Sequence, residues 1–161
     1  MGGELKSKVE DFAEIVRRYC IWAKSPFGEI EVEMQTAQKI LAELNYFVLD
    51  LPDDEFEDDV ELEDVSTEQW KIVRNRFENL PIKGYWTIFD PTKDKENDAV
   101  FAELSDDLAD IYQDIKYGLV LFDAGHFSEA VWEWKFNFKI HWGRHLLNAQ
   151  KVIYSWNFTN V

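Results

Sequence analysis

The amino-acid sequence predicts a single all-α domain, a bundle of about five helices with a central tryptophan-rich helix near the C-terminus. Apolar residues recur at spacings of three and four over most of the chain, and proline and glycine residues separate these segments. A length of 161 residues is enough for one hydrophobic core. An apolar share of 46% and seven tryptophans favour a folded domain that buries this aromatic surface over a disordered chain.

Each predicted helix has a recognisable start or stop signal. Ser25 and Pro26 separate the first two helices, because serine caps a helix and proline suits its first turn. Pro52 ends the second helix, and Ser66 with Gln69 forms a capping-box pattern at the start of the third. The predicted helices cover 9–24, 27–49, 66–80, 103–123 and a last one from 128 to beyond 152.

Two connecting segments interrupt the helices. The segment at about 53–65 holds nine carboxylates within residues 53–64, which predicts an extended, solvated connector because like charges repel. It contains no glycine, so it does not match a calcium-binding EF-hand loop. The segment at about 81–102 is loop-rich, with residues 85–89 as an extended stretch. The candidate docking residues for a basic partner are Asp53, Asp54, Glu55, Glu57, Asp58 and Asp59.

The charge balance restricts the classes of partner. Lysine and arginine number 17 against 32 aspartates and glutamates, so the formal charge of −15 disfavours direct nucleic-acid binding. The single cysteine, Cys20, excludes an intramolecular disulfide and lies in an apolar helical run, which favours a core thiol. No membrane span or secretion signal is recognised, so a cytoplasmic location is expected, and the oligomeric state is left open.

The last two predicted helices form a hairpin around Gly125, a residue suited to the left-handed backbone at a helix C-terminus. The fourth helix has an acidic face, and the fifth has two apolar faces beside a narrow polar stripe, which places it in the middle of the domain. In an antiparallel hairpin, Asp107 and Asp110 lie within a helical turn of residues 141–145. We therefore expect a polar network, structural or ligand-binding, of Asp with His and Arg side chains. Its candidate members are Asp107, Asp110, Glu133, Asn137, His141, Arg144 and His145.

His141 and His145 are also weak metal-ligand candidates. Histidines four residues apart lie on one helix face, which is the spacing of zinc and di-metal sites. The zincin pattern has glutamate after the first histidine, but Trp142 stands here, so the sequence favours a structural network over a metal centre. No catalytic residue is assigned and no cofactor is expected, because no phosphate-binding loop, nucleophile elbow or Cys–His arrangement is recognised.

Two resemblances extend these predictions. The order of glycine, phenylalanine, alanine and tryptophan at 118–134 is similar to one tetratricopeptide repeat, a helical hairpin. The motifs Asp106-Asp-Leu-Ala-Asp-Ile-Tyr112, Ala130-Val-Trp-Glu-Trp134 and His141-Trp-Gly-Arg-His145, with Leu49-Asp-Leu-Pro52 upstream, resemble an uncharacterised bacterial family, domain of unknown function 5063. This resemblance implies a small all-α protein and leaves its activity open.

The sequence therefore favours a non-enzymatic, acidic interaction protein that binds a basic protein partner, as an adaptor or an immunity-type inhibitor. One alternative is a metal-binding protein or hydrolase that uses the cluster of His141, His145, Asp107 and Asp110. Another alternative is a nucleic-acid mimic, which depends on the acidic connector alone.

Overall fold

A computed structural model describes residues 2–53, 55, 60–93 and 98–160 of the chain. Within these ranges, α5, a π-helical turn and α6 follow one another without a break, so the chain forms five helical rods and the predicted all-α bundle is confirmed. No helix of the described ranges combines the length and apolar character needed to cross a bilayer. The elements are α1 (Gly3–Lys24), α2 (Ile30–Val48), α3 (Thr67–Phe77), β1 (Gly84–Ile88), β2 (Ala99–Glu103), α4 (Leu104–Asp123), α5 (Phe127–Asn137), the π turn (Phe138–Trp142) and α6 (Gly143–Thr159).

Helix α4 packs against α1, α3, α5 and α6, so it lies at the centre of the bundle. Its apolar face buries Leu104, Leu108 and Ile115 completely. The largest side chains around it are the indoles of Trp134 and Trp142, which are also fully buried. Burying a large apolar side chain stabilises a domain by roughly 1.5–3 kcal/mol, so this aromatic shell supplies much of the driving force for folding.

Short sequence signals set the ends of several helices as predicted. Ser66 and Gln69 form a complete capping box at the start of α3. Gly125 has a φ of +90°, and the amide of His126 donates to the carbonyl of Leu121, which is the hydrogen-bond pattern of a Schellman C-cap. The second helix differs, because it begins at Ile30 rather than 27.

The loop-rich segment at about 81–102 contains a β-hairpin. Strand β1 pairs antiparallel with β2, and Gly84 is opposite Glu103. The extended stretch predicted at 85–89 corresponds to β1, whereas the second strand was not predicted. The hairpin leads directly into α4, because Glu103 is both the last residue of β2 and the N-cap of that helix.

The prediction of one regular helix beyond residue 128 is wrong in detail, because the π turn adds a residue to one helical turn. The extra residue moves the buried stripe onto Trp134, Trp142 and Leu146. Only one of the two predicted apolar faces is therefore buried. The other remains in solvent, where Ile140 is 61% and Leu147 is 52% exposed.

Cys20 provides a simple test of the core. Burial raises the pKa of its thiol to about 12, so little of the reactive thiolate is present at pH 8. We expect the native protein to react very slowly with Ellman's reagent, and the same protein in guanidinium chloride to release one thiol per chain. A fast, stoichiometric reaction of the native protein would place Cys20 outside the core.

Candidate metal centre

Three aspartates of α4 lie on one helix face. Asp107, Asp110 and Asp114 follow the i, i+3, i+7 spacing that aligns side chains along a helix. Their side chains are 5%, 24% and 16% exposed, so this acidic face is covered rather than solvated. The covering elements contribute Trp70 from α3 and Tyr85 from β1, together with the π turn and α6.

Two histidines meet these aspartates. His141 Nδ1 lies 2.7 Å from Asp114 Oδ2, and His145 Nδ1 lies 2.7 Å from Asp107 Oδ1. A neutral imidazole that donates from Nδ1 to a carboxylate carries its lone pair on Nε2. In that tautomer each histidine presents Nε2 as a metal ligand, which is the usual arrangement of metal-binding histidines.

Asp110 completes the group. Its Oδ2 lies 3.4 Å from His145 Nε2, and its Oδ1 accepts a hydrogen bond of 2.8 Å from Trp70 Nε1. The two imidazole rings are 4.8 Å apart at their centroids and nearly perpendicular. One possible ligand atom from each of Asp110, His141 and His145 lies within 4.8 Å of the other two.

The supporting carboxylate of Asp107 is buried more deeply than any of the possible ligands. The hydroxyl of Tyr85 donates to Asp107 Oδ2, so Asp107 holds partners on both oxygens. Burial raises the pKa of Asp107 and that of Asp114, and the hydrogen bonds from the histidines oppose this effect. The His141 side chain is 40% exposed, compared with 15% for His145, so the group opens to solvent at His141.

The π turn sets where the histidines point. The amide of Gly143 donates to the carbonyl of Phe138, which is the i→i+5 bond of a π turn. A Cβ atom at position 143 would lie 2.2 Å from the Phe138 carbonyl oxygen, a contact that only glycine avoids. Single π turns occur often at functional sites, because the added residue redirects the side chains that follow.

Two other members of the predicted network lie beside the group. Asn137 donates a 2.6 Å hydrogen bond to Glu133. Both residues line a cavity of about 460 Å³ together with Asp114, Glu61 and Asp64. Burial raises the pKa of Glu133, and Asp114 and Asp64 add to the effect.

The predicted pairing of Arg144 with the aspartates of α4 does not occur. Its guanidinium lies 4.2 Å from the ring centroid of Phe89. The cause is the altered helical phase after the π turn, which directs His145 toward α4 and the neighbouring Arg144 toward the β-hairpin.

The candidate docking residues of the acidic connector are only partly described. Asp53 forms an ion pair with Lys135 of α5, so this carboxylate already has a basic partner within the chain. Glu55 is exposed. Four others lie outside the described residues: Asp54, Glu57, Asp58 and Asp59.

A family model described as Domain of unknown function (DUF5063) matches residues 4–159. The chain belongs to this family. The crystal structure of protein BF1032 from Bacteroides fragilis superimposes with a TM-score of 0.78 at 23% sequence identity, and the match covers 91% of this chain and 90% of that chain. At this identity the likeness shows a shared fold. No curated protein matches. The resemblance to a tetratricopeptide repeat at 118–134 stays a prediction.

Sequence reasoning missed three residues of the site in this DUF5063 protein: Asp114, Trp70 and Tyr85. Asp114 could have been found, because it continues the i, i+3, i+7 face of the other two aspartates. The hairpin register predicted from the sequence instead placed residue 109 opposite His141, because a regular helix was expected where the structure has the π turn. Trp70 and Tyr85 come from distant elements, and no local pattern signals their contacts.

Glu133 allows a pH test of this region in metal-free protein. The pKa of Glu133 is raised in the folded chain. The protonated carboxyl therefore stabilises the fold below its pKa in the unfolded chain, about 4.3, and this stabilisation is lost as the pH rises through its pKa in the folded chain. Glu133→Gln removes this titration. We expect the stability of the variant relative to the natural protein to increase between pH 4 and pH 8, measured by urea unfolding. A constant difference would show that Glu133 is solvated.

Proposed function

We propose that this DUF5063 protein binds one divalent transition-metal ion through Asp110, His141 and His145. The observation that carries the proposal is the pair of imidazoles, each held at Nδ1 by its own carboxylate beside a third carboxylate. Histidines that ligate metals are usually oriented in this way, since the carboxylate fixes the tautomer and makes the imidazole more basic. Such an arrangement favours metal binding over the structural network expected from the sequence.

The ligand atoms of Asp110, His141 and His145 need only a small movement to bind one metal ion. Zinc binds imidazole nitrogen at about 2.0–2.1 Å and carboxylate oxygen at about 2.0–2.2 Å, which separates tetrahedral ligand atoms by about 3.4 Å. Asp110 and His145 already have this separation, at 3.4 Å. The remaining separations extend to 4.8 Å and involve His141, whose half-exposed side chain has room to move.

The number of protein ligands indicates the chemical use of the metal. Two histidines and one carboxylate leave at least one coordination position for water or a substrate, as in catalytic zinc sites and non-haem iron sites. A metal in such a position acts as a Lewis acid and lowers the pKa of its bound water. The His141 side chain is 40% exposed, so a metal held beside it would be accessible to water or a substrate, which supports a hydrolase more than a structural zinc site.

Calorimetric titration of chelator-treated protein with zinc or cobalt(II) tests the proposal. We expect one ion per chain, bound with micromolar or tighter affinity, and weaker binding at lower pH because protons compete for the imidazoles. His126→Gln is the matched control, since His126 is the remaining histidine of the chain and lies at the N-cap position of α5, outside the group. The absence of saturable binding would overturn the proposal, and so would a loss of affinity in His126→Gln equal to the loss in His145→Gln.

A second candidate function is the binding of a basic protein partner, as the charge of −15 suggests. The acidic cavity beside the metal group favours it, because four carboxylates line that cavity: Glu61, Asp64, Asp114 and Glu133. A lysine-rich peptide should bind at low salt and dissociate at high salt. Asp64→Asn should weaken this binding and Glu31→Gln, on the exposed start of α2, should not; equal effects would leave only nonspecific attraction.

Most of the evidence for a nucleic-acid mimic lies in the acidic connector, part of which falls outside the described residues. The mimic therefore stays a prediction, as do the cytoplasmic location and the adaptor or immunity-type role.

A further inference from the structure

A groove of about 700 Å³ runs between the β-hairpin and the C-terminal helical rod. Its walls come from β1 and the turn after it on one side, and from the π turn and α6 on the other. Thr87 and Asn148 connect the two walls with a hydrogen bond of 3.4 Å. The groove is a separate feature from the metal group, and its use does not depend on a bound metal.

The groove is apolar and open. Trp86 is 70%, Phe89 is 69% and Leu147 is 52% exposed, although each is a residue type that folding normally buries. Phe101 extends the patch, since it packs edge to face on Trp86 and is itself 55% exposed. Contiguous exposed apolar surface of this kind marks sites of association.

The charge of the groove is opposite to that of the chain. Lys139, Arg144 and Lys151 line it, whereas none of the carboxylates in the described ranges does. None of the three cations forms an ion pair with a carboxylate of the described residues. In a chain with 17 basic and 32 acidic residues, this local excess of cations is complementary to an anionic ligand.

The spacing of the cations determines the size of that ligand. Residues 139–151 extend over about 18 Å of helix at about 1.5 Å per residue. An extended peptide covers this length with about five or six residues at about 3.3 Å each. A small molecule with a single anionic group would meet one cation at a time, so the distribution of charge favours an elongated ligand with several anionic groups.

We propose that this groove binds an extended acidic segment of a partner protein whose aromatic or aliphatic side chains pack on Trp86 and Phe89. The carboxylates of the segment pair with Lys139, Arg144 and Lys151. Arg144 is suited to this role, because its guanidinium lies over the Phe89 ring at 4.2 Å and guanidinium groups bind carboxylates with two parallel hydrogen bonds. Single-stranded nucleic acid uses similar aromatic and basic groups, but its dense phosphates are repelled more strongly by the net charge of −15.

Fluorescence anisotropy with labelled six-residue peptides tests the proposal, in buffer with EDTA so that metal binding does not contribute. The probe alternates glutamate and phenylalanine, and the comparison peptide has serine in place of glutamate. We expect the acidic probe to bind the full chain as a saturable one-to-one complex, at least tenfold more tightly than the serine peptide. The probe should also quench the fluorescence of Trp86, and this change should disappear in Trp86→Phe.

Charge reversal locates the site. Arg144→Glu and Lys151→Glu should each weaken binding of the acidic probe at least tenfold, whereas Lys39→Glu, an equal change of charge on the exposed face of α2, should leave it unchanged. The proposal would be overturned by equal affinity for the serine peptide, by equal loss in Lys39→Glu, or by tighter binding of a six-nucleotide thymidine strand. A dimer whose formation depends on Arg144 would assign the groove to a second copy instead.

Discussion

His145→Gln is expected to lower the affinity of the protein for zinc and cobalt(II) by at least about a hundredfold. His145 is the most enclosed of the three proposed ligands, because Asp107 holds its Nδ1 at 2.7 Å and Asp110 faces its Nε2 at 3.4 Å. Removal of a partner that only orients a ligand costs about 10- to 100-fold in metal affinity, so removal of the ligand itself should exceed that range. Calorimetry and the visible absorption of bound cobalt(II) measure the effect.

Two further variants show whether this loss is specific. Asp107→Asn keeps the shape of the partner but weakens its hold on His145, so it should reduce affinity about 10- to 100-fold. His126→Gln should change nothing. Unchanged affinity in His145→Gln, with the far-ultraviolet circular dichroism of an intact fold, would assign the His–Asp contacts a purely structural role.

Arg76→Met is expected to destabilise the fold by about 3–5 kcal/mol, the usual cost of leaving a buried charge without its partner. The side chains of Arg76 and Glu33 are 9% and 7% exposed, and they pair at 2.8 Å. Arg76 also donates to the carbonyl of Ser25, and Glu33 accepts from Trp22, so the pair joins α1, α2 and α3. Since domains are stable by only about 5–15 kcal/mol, such a loss is large, and urea unfolding measures it.

A double variant separates the unpaired charge from the lost packing. Glu33→Gln combined with Arg76→Met removes both charges and keeps one acceptor for Trp22 or the Gly28 amide. The double variant should recover at least half of the stability lost in Arg76→Met. If the two variants are equally unstable, the arginine stabilises the fold through its contacts with aromatic rings, such as that of Trp22, rather than through charge.

The elements with strong local signals were predictable from the sequence. The capping box at Ser66 and the left-handed Gly125 depend on a few adjacent residues, so the pattern and the structure agree. The pairing of Glu33 with Arg76 was not predictable, because the two residues are 43 positions apart in the sequence and no local rule joins them. Of the two strands of the β-hairpin, only β1 was predicted. Strand β2 begins with three exposed apolar or small residues, so it lacks the alternation of apolar and polar residues that indicates a strand.

The candidate site was predictable as a meeting of Asp and His side chains, but its geometry was not. The hairpin around Gly125 brings α4 beside the helical rod that carries His141 and His145, and this follows from chain order. The π turn changes which partners meet, so His141 contacts Asp114 and Arg144 contacts Phe89. The residues around Gly143 are also compatible with a regular helix, so the sequence pattern did not indicate the π turn, although its geometry requires glycine at position 143.

The most direct test of metal binding is an anomalous difference map at the zinc absorption edge, from crystals of the zinc-loaded protein. A peak is predicted between the side chains of Asp110, His141 and His145, with nitrogen ligands at about 2.0–2.1 Å and the carboxylate oxygen at about 2.0–2.2 Å. Zinc found only on surface carboxylates or at His126, with the three side chains unligated, would contradict the assignment.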